Sequence, residues 1–317
     1  MSFEYDYPLL SIIVPNYNNS IWLRDCLDSI LAQSYRNIEI IVSDDCSTDD
    51  SLEIIRSYAN QHPKKVKFLY HDMNVGVARN RHSAILMAEG EYITTIDSDD
   101  YYYDRDKLKK EMELVVHYKK NFNQDICAYS NTILVNQDKI EIAIRGTNDR
   151  LKQGFLLNQF MQRSCEIPIN FVLLKELYYK VGGYEHNIPI YEDWDLKIRL
   201  SSMIEFYYTG LIGTAYRRHN IGLSSADPMK HIKWLKYVFR KNEYLLNIQE
   251  RHDVRMRFQE HILKLRKRHF QDMIHTIERN SNNKQYISFI KNWINLYYID
   301  CFFIRPRALY SLFKKSL

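Results

Sequence analysis

The sequence predicts an α/β fold built on a mostly parallel sheet. Three observations predict it: short β-branched runs alternate with helical stretches over the first hundred residues, polar and acidic clusters follow those runs, and one run ends in three carboxylates within four positions. Ser11–Val14, Ile38–Val42, Val66–Tyr70 and Tyr92–Ile96 read as strands, because apolar and β-branched residues dominate each. Trp22–Gln33, Ser51–Asn60 and Ala78–Ala88 carry helical spacing between them. Strands joined by crossover helices give a parallel sheet, and ligands then bind beyond its carboxyl edge.

The polar clusters fall at that edge. Pro15-Asn16-Tyr17-Asn18-Asn19 follows the first strand, Asp44-Asp45-Cys46-Ser47-Thr48-Asp49 the second, and Asp97-Ser98-Asp99-Asp100 the fourth. Carboxylates this close repel, and a hard divalent cation such as Mg²⁺ or Mn²⁺ relieves that repulsion and implies a phosphorylated substrate. The competing reading is a solvated acidic turn with Asp capping of a helix that starts near Asp104 to Lys107. For Asp44 and Asp45, one reading is that Ser47, Thr48 or Asp49 caps the helix near Ser51 while the two acids favour its positive end, and the other is that Asp45 accepts a base N–H. Neither GxGxxG nor a P-loop is present, which removes most weight from dehydrogenase and NTPase readings.

Further along, a long helix from Asp106 precedes strands near Ile126–Val135 and Lys139–Ile144, and Gly182-Gly183 marks a turn. Tyr191–Leu200 fits a short helix with Glu192 and Asp193 at its N-terminus, where acids also serve the helix dipole. From Met229 to Arg279 the apolar spacing indicates amphipathic helices, whose apolar faces belong to the core.

The chain has 317 residues, 45% of them hydrophobic, which excludes wholesale disorder. Its net charge of +5 hides a division: residues 217 to 317 hold 21 Lys/Arg against 8 Asp/Glu, a balance of +13, and the preceding residues carry −8. The basic third suits nucleic acid, anionic lipid or a phosphorylated carrier; the acidic part meets a polyanion only through metal. Five scattered cysteines without a CxxC pair indicate reduced thiols. Met1–Pro8 lacks the pattern of a secretory signal, and Ile287–Ile304 is interrupted by Lys291, Asn292, Asn295 and Asp300, so no clean membrane span is expected. Residues 286–317 mix Trp293, Tyr297, Tyr298, Phe302, Phe303 and Tyr310 with Arg305, Arg307, Lys314 and Lys315, which fits either an anionic membrane interface or a docked C-terminal helix.

Five motifs in order, Leu10–Asn18, Glu39–Ser47, Asn74–Asn80, Glu89–Asp100 and Glu192–Leu196, closely resemble the inverting family-2 glycosyltransferases of the GT-A fold, of the bacterial surface-polysaccharide type. The resemblance spans roughly Leu9–Ser225. It implies a GT-A catalytic domain over 1–225, with nucleotide-sugar binding in 9–100 and the acceptor side in 101–225, followed by a basic, aromatic-rich helical region over 226–317. By this resemblance Pro15, Tyr17 and Asp45 border the nucleotide base, and Arg79 lies alongside the nucleotide. Asp97-Ser98-Asp99 matches the DXD motif, with Asp97 facing ribose or metal and Asp99 as a metal ligand. Asp193 matches the catalytic base, with Glu192 and Trp194 as substrate-binding neighbours. His219 stands where some relatives complete the metal or diphosphate site, with Arg217 or Arg218 available to phosphate; a loop histidine is the alternative. Cys46 departs from the family's usual glycine, so strain is expected if that turn requires a positive φ.

The implied function is metal-assisted (Mn²⁺ or Mg²⁺) inverting transfer of a sugar from a nucleotide sugar, UDP-linked by preference, to a hydroxyl of a lipid-linked surface glycan. The expected location is cytoplasmic or peripheral on the inner membrane's cytosolic face, through 286–317, and no nucleic-acid partner is expected. Two other classes compete. A sugar-phosphate nucleotidyltransferase would share sheet and metal but needs a glycine-rich, lysine-bearing loop that is absent; a non-enzymatic basic helical binding module would show salt-sensitive nucleic-acid binding.

Overall fold

The computed structural model describes residues 8–146, 151–219 and 228–280. The N-terminal strands appear where their apolar runs lie: β1 (Leu10–Asn16), β2 (Ile38–Asp44), β3 (Val66–Tyr70) and β4 (Tyr92–Thr95), joined by α1 (Ser20–Leu31), α2 (Ser51–Gln61) and α3 (Val77–Leu86). Their order is β3-β2-β1-β4, all parallel, with β8 (Leu173–Leu174) antiparallel on β4. The order reverses between β1 and β4, so the crevice at their carboxyl ends is the place a ligand is expected in such a sheet. Every residue of β1, β2 and β4 is buried, as strands covered on both faces must be.

A second sheet, in the order β5-β9-β6-β7, stands beside the first. It is formed by β5 (Tyr101–Tyr102), β6 (Ile126–Val135), β7 (Glu141–Arg145) and the 13-residue β9 (Glu205–Arg217), with β6 and β9 parallel. α4 (Lys107–Phe122) packs on β6 and β9. Neither β9 nor the short β5 and β8 is predicted above. β9 matters to the site, since it returns Arg217 and His219 to the Asp99 turn, where the Arg217 backbone N–H donates to Asp100 at 2.9 Å.

α5 (Leu157–Gln162), α6 (Lys175–Lys180) and α7 (Glu192–Ser201) complete this part, and α8 (Pro228–Asn242) and α9 (Ile248–Asn280) follow. The amphipathic faces expected from Met229 onwards do enter the core: Ile232, Leu235, Val238, Phe239, Phe258 and Ile262 join the same apolar cluster as the sheet. α8 packs on α7, and α9 on α5. Each such buried aliphatic or aromatic side chain contributes roughly 1.5–3 kcal/mol, enough to fix these helices against α5 and α7. The expected boundary at residue 225 and the aromatic stretch 286–317 lie outside the described residues. Among the described residues no helix is long and apolar enough to cross a membrane.

Candidate active site

β4 delivers the acid cluster. It runs apolar to Ile96 and then turns, and the oxygens of Asp97, Asp99 and Asp100 lie within 4.8 Å of one another. Burial raises the Asp97 carboxyl despite the nearby Arg81, and the charge of Asp99 adds to the rise. Burial likewise pushes Asp100 well up, helped by Asp99 and Asp97. An all-oxygen set under such mutual repulsion fits a hard divalent cation. Nε2 of His219 lies 2.9 Å from Asp99 Oδ2, which adds one imidazole at the rim of that set. Asp97, Asp99 and His219 are the residues that would hold the ion.

Arg81 ties this cluster to α7. Its guanidinium donates to Asp97 at 2.5 Å and to Glu192, and the side chain is almost wholly buried. Arg79, the arginine expected beside the nucleotide, is exposed, whereas Arg81 lies on the buried face of α3 with Ala78, Ala84 and Ile85. Arg81 was absent from the sequence candidates, and the signal for it is that 78, 81 and 85 repeat at helical spacing, so a charge on that stripe must find a buried partner.

At the start of α7, Glu192 and Asp193 take opposite electrostatic characters. Burial lifts the Glu192 carboxyl to about 7, although Arg81 opposes the shift. Burial acts the same way on Asp193, but Lys197, at 2.7 Å one turn on, and then Arg81 and Arg163 outweigh it and bring the carboxyl down to about 2. Asp193 is therefore an anion at neutral pH, with its side chain 30% exposed. Lys197 was absent from the sequence candidates; its spacing from Asp193, i to i+4, is the signal that pointed to it.

A cavity of about 680 Å³ joins these groups, lined among others by Arg81, Asp97, Asp100, Glu192, Asp193 and Lys197. α8 and α9 close one side with His231, Ile232, His261 and Leu265. Trp194 also lines it but is 1% exposed and donates its indole N–H to the Phe160 carbonyl at 2.9 Å. Its body is core, stacked near Phe258 at 6.2 Å, so it contributes a wall of the cavity and no free polar group.

The residues expected on the nucleotide side do not line this cavity and stand at the ends of β1 and β2. Pro15 is buried within β1, and Tyr17 stands 48% exposed just beyond it. The Asp45 carboxylate accepts the backbone N–H groups of Val75 at 2.7 Å and Gly76 at 2.9 Å, fixing the loop before α3. Asp44 instead accepts from Asn16 and from the Ser47 hydroxyl, both at 2.7 Å. Cys46 between them has φ 64°, so the turn does require the left-handed region where the chain lacks a glycine. The capping expected of this segment falls to Asp49, which accepts the Ser20 N–H at 2.8 Å and the Ser51 N–H at 3.0 Å.

Arg217 is enclosed rather than open to phosphate. Its side chain, 1% exposed, donates to Asp25 and to the carbonyls of Asp99 and Gln137, each at 2.9 Å. It braces the acid turn from behind, and its neighbour Arg218 is the one that faces the cavity.

A parallel α/β sheet with a carboxylate cluster at its switch point, flanked by a second sheet and capped by helices, is the GT-A arrangement. Residues 11–182 match the model of glycosyl transferase family 2, and the chain belongs to that family. It is 36% identical over 155 residues to an "Uncharacterized glycosyltransferase" of Haemophilus influenzae, covering 48% of this chain and 59% of that one. It is 30% identical over 227 residues to WfaP of Escherichia coli, a UDP-Glc:alpha-D-GlcNAc-diphosphoundecaprenol beta-1,3-glucosyltransferase, covering 71% of this chain and 82% of that protein. Among solved structures, S. aureus TarS 1-349 in complex with UDP-GlcNAc superposes with a TM-score of 0.62 at 19% identity, covering 79% of this chain and 71% of that one, which speaks for the fold. The chain spans about three fifths of the length of the first curated relatives it matches, 59% and 61%.

Proposed function

We propose that the protein is an inverting glycosyltransferase that moves a sugar from a UDP-sugar to a hydroxyl of a lipid-linked glycan, in the synthesis of a bacterial surface polysaccharide on the cytosolic face of the membrane. The observation that carries this reading is that an ionised Asp193 and the metal-fitting Asp97 line one cavity large enough for two sugars. The glucosyl donor and diphosphoundecaprenol-linked acceptor in the name of WfaP support the choice of substrates.

In this reading the nucleotide lies along the ends of β1 and β2, with Pro15, Tyr17 and Asp45 around the base and Arg79 alongside. Asp97, Asp99 and His219 would hold Mg²⁺ or Mn²⁺, which would supply positive charge opposite the departing diphosphate. Asp193 accepts the proton of the acceptor hydroxyl as that oxygen attacks the anomeric carbon from the face opposite the leaving group. Lys197 keeps Asp193 ionised and aimed, and Arg81 holds Glu192 and Asp97 apart at a fixed spacing. A single displacement needs one base and no nucleophile of the enzyme, in contrast with a retaining double displacement.

The stereochemistry tests it. Slow hydrolysis of UDP-α-glucose by the enzyme, followed by proton NMR before mutarotation, is expected to release β-glucose first. Release of α-glucose first would refute inversion.

A further inference from the structure

One face of α1 braces the acid turn. Trp22, Asp25, Cys26 and Ser29 recur at the three- and four-residue spacing that brings helical side chains to one side. The Ser29 hydroxyl accepts the Tyr102 N–H at 2.9 Å, and Asp25 accepts from the Arg217 guanidinium at 2.9 Å. The Cys26 thiol lies 3.7 Å from the Asp97 carbonyl, and just before the helix Asn19 donates its side-chain amide to the Ser98 hydroxyl at 2.9 Å. Trp22 reaches past the turn to His219. The two ring centroids lie 4.3 Å apart at an interplanar angle of 33°, and the Arg217 guanidinium lies 5.9 Å from the centre of the same indole.

His219 stands two residues beyond the end of β9, where the Arg218 N–H donates to the Val135 carbonyl at 2.8 Å and pins the backbone. That bond leaves the two side-chain torsions of the histidine to be fixed by other contacts. Asp99 Oδ2 holds Nε2 at 2.9 Å, but one hydrogen bond lets a ring pivot about it. The indole against its face removes that freedom. Both partners are enclosed, Trp22 at 6% exposure and the His219 side chain at 5%. A ligand already held in its binding orientation loses little rotamer freedom when the ion arrives, so the groups that orient it raise metal affinity without touching the metal.

We infer that Trp22 is a positioning residue for the metal site, its indole holding the His219 imidazole so that Nε2 meets an ion shared with Asp99. This rests on the glycosyltransferase reading above and extends it to a residue that is not on the cavity lining.

Electron paramagnetic resonance of free Mn²⁺, on the full chain saturated with UDP, measures the Mn²⁺ affinity of wild type, Trp22→Met, Trp22→Phe, His219→Ala and the Trp22→Met/His219→Ala pair. Methionine keeps apolar bulk and removes the flat face, so Trp22→Met is expected to bind Mn²⁺ about tenfold or more weakly than wild type. Trp22→Phe, which keeps a smaller ring, is expected to fall between the two. The double variant is expected to bind no more weakly than His219→Ala alone, because the indole acts through the imidazole. Denaturation of the metal-free proteins reads any general loss of stability separately, and if Trp22→Met does not fold, Trp22→Phe with and without His219 makes the same comparison. Mn²⁺ affinity unchanged in the Trp22 variants, or losses that add in the double variant, overturns the positioning role and leaves the metal site standing. Wild type that takes up no Mn²⁺ with UDP, or His219→Ala that binds it as wild type does, overturns the metal reading itself and removes this role with it.

Discussion

Arg81 donates a hydrogen bond to Glu192 across 111 positions of the chain, and its other nitrogen holds Asp97 at 2.5 Å. One buried guanidinium thus sets the distance between the metal-fitting turn after β4 and the helix that carries Asp193. Removing one partner of a buried charge network leaves the others uncompensated, and here the others are all carboxylates. Arg81→Met is therefore expected to destabilise the protein by about 3–5 kcal/mol. Millimolar Mn²⁺, by neutralising the same acids, should recover part of the lost melting temperature in the variant and less in wild type. Equal metal effects on the two proteins would contradict this role for Arg81.

Asp193→Asn keeps the shape of the side chain and removes its basicity. Transfer is expected to fall by about 10²–10⁴-fold, the usual contribution of general acid–base catalysis, with UDP affinity unchanged. Steady-state rates together with calorimetric titration of UDP separate the two effects. Loss of UDP affinity with unchanged turnover of bound donor would reassign Asp193 to donor binding.

Glu192 predicts a pH dependence. Its carboxyl is raised to about 7, above the usual value for a glutamic acid, so it gains a proton as pH falls through neutrality and Arg81 then loses one of two anionic partners. The expected acid limb of kcat/KM near pH 7 belongs to Glu192, since Asp193 stays ionised down to about 2. Glu192→Gln should lack that limb. For stability the sign is opposite: between about 4.3, the unfolded value, and 7, the folded protein binds more protons than the unfolded chain, so this group's contribution declines as pH rises. An unchanged acid limb in Glu192→Gln would assign it to another group.

Cys46 sits at φ 64°, a conformation in which a side chain costs of order 1–2 kcal/mol and glycine does not. Cys46→Gly is expected to stabilise the protein by up to about 1 kcal/mol, the relief of strain being partly offset by the greater freedom of glycine in the unfolded chain. Chemical denaturation reads this directly. A destabilised variant would show that the Cys46 thiol, 3.6 Å from the Asp72 carbonyl, contributes more than the turn costs.

The parallel half of the fold was legible because each strand is a continuous apolar run and each helix has its own periodicity, both local properties. β9 was not. Glu205–Arg217 contains Gly210 and Gly213, mixes exposed and buried positions, and pairs with β6 some eighty residues earlier, so nothing local marks it as a strand. The acid turn and the start of α7 were visible as residue types at chain positions, whereas the partners that give them their charge states were not marked by any motif. Trp194 and Arg217 show the same limit, since the identity of a tryptophan or arginine does not say whether it meets a ligand or is used up inside. Arg81 and Lys197 were readable, but only by asking which charges fall on a buried helical face.

The measurement that tests the central claim most directly is thermal unfolding with UDP, with and without Mn²⁺, in wild type and Asp99→Asn. A ligand that binds only the folded state raises its stability, by about 2.7 kcal/mol at a hundred times its Kd. The account predicts that UDP stabilises wild type far more with Mn²⁺ than without, and that Asp99→Asn loses the metal-dependent part. Stabilisation by UDP that ignores Mn²⁺, or that survives Asp99→Asn intact, would contradict it.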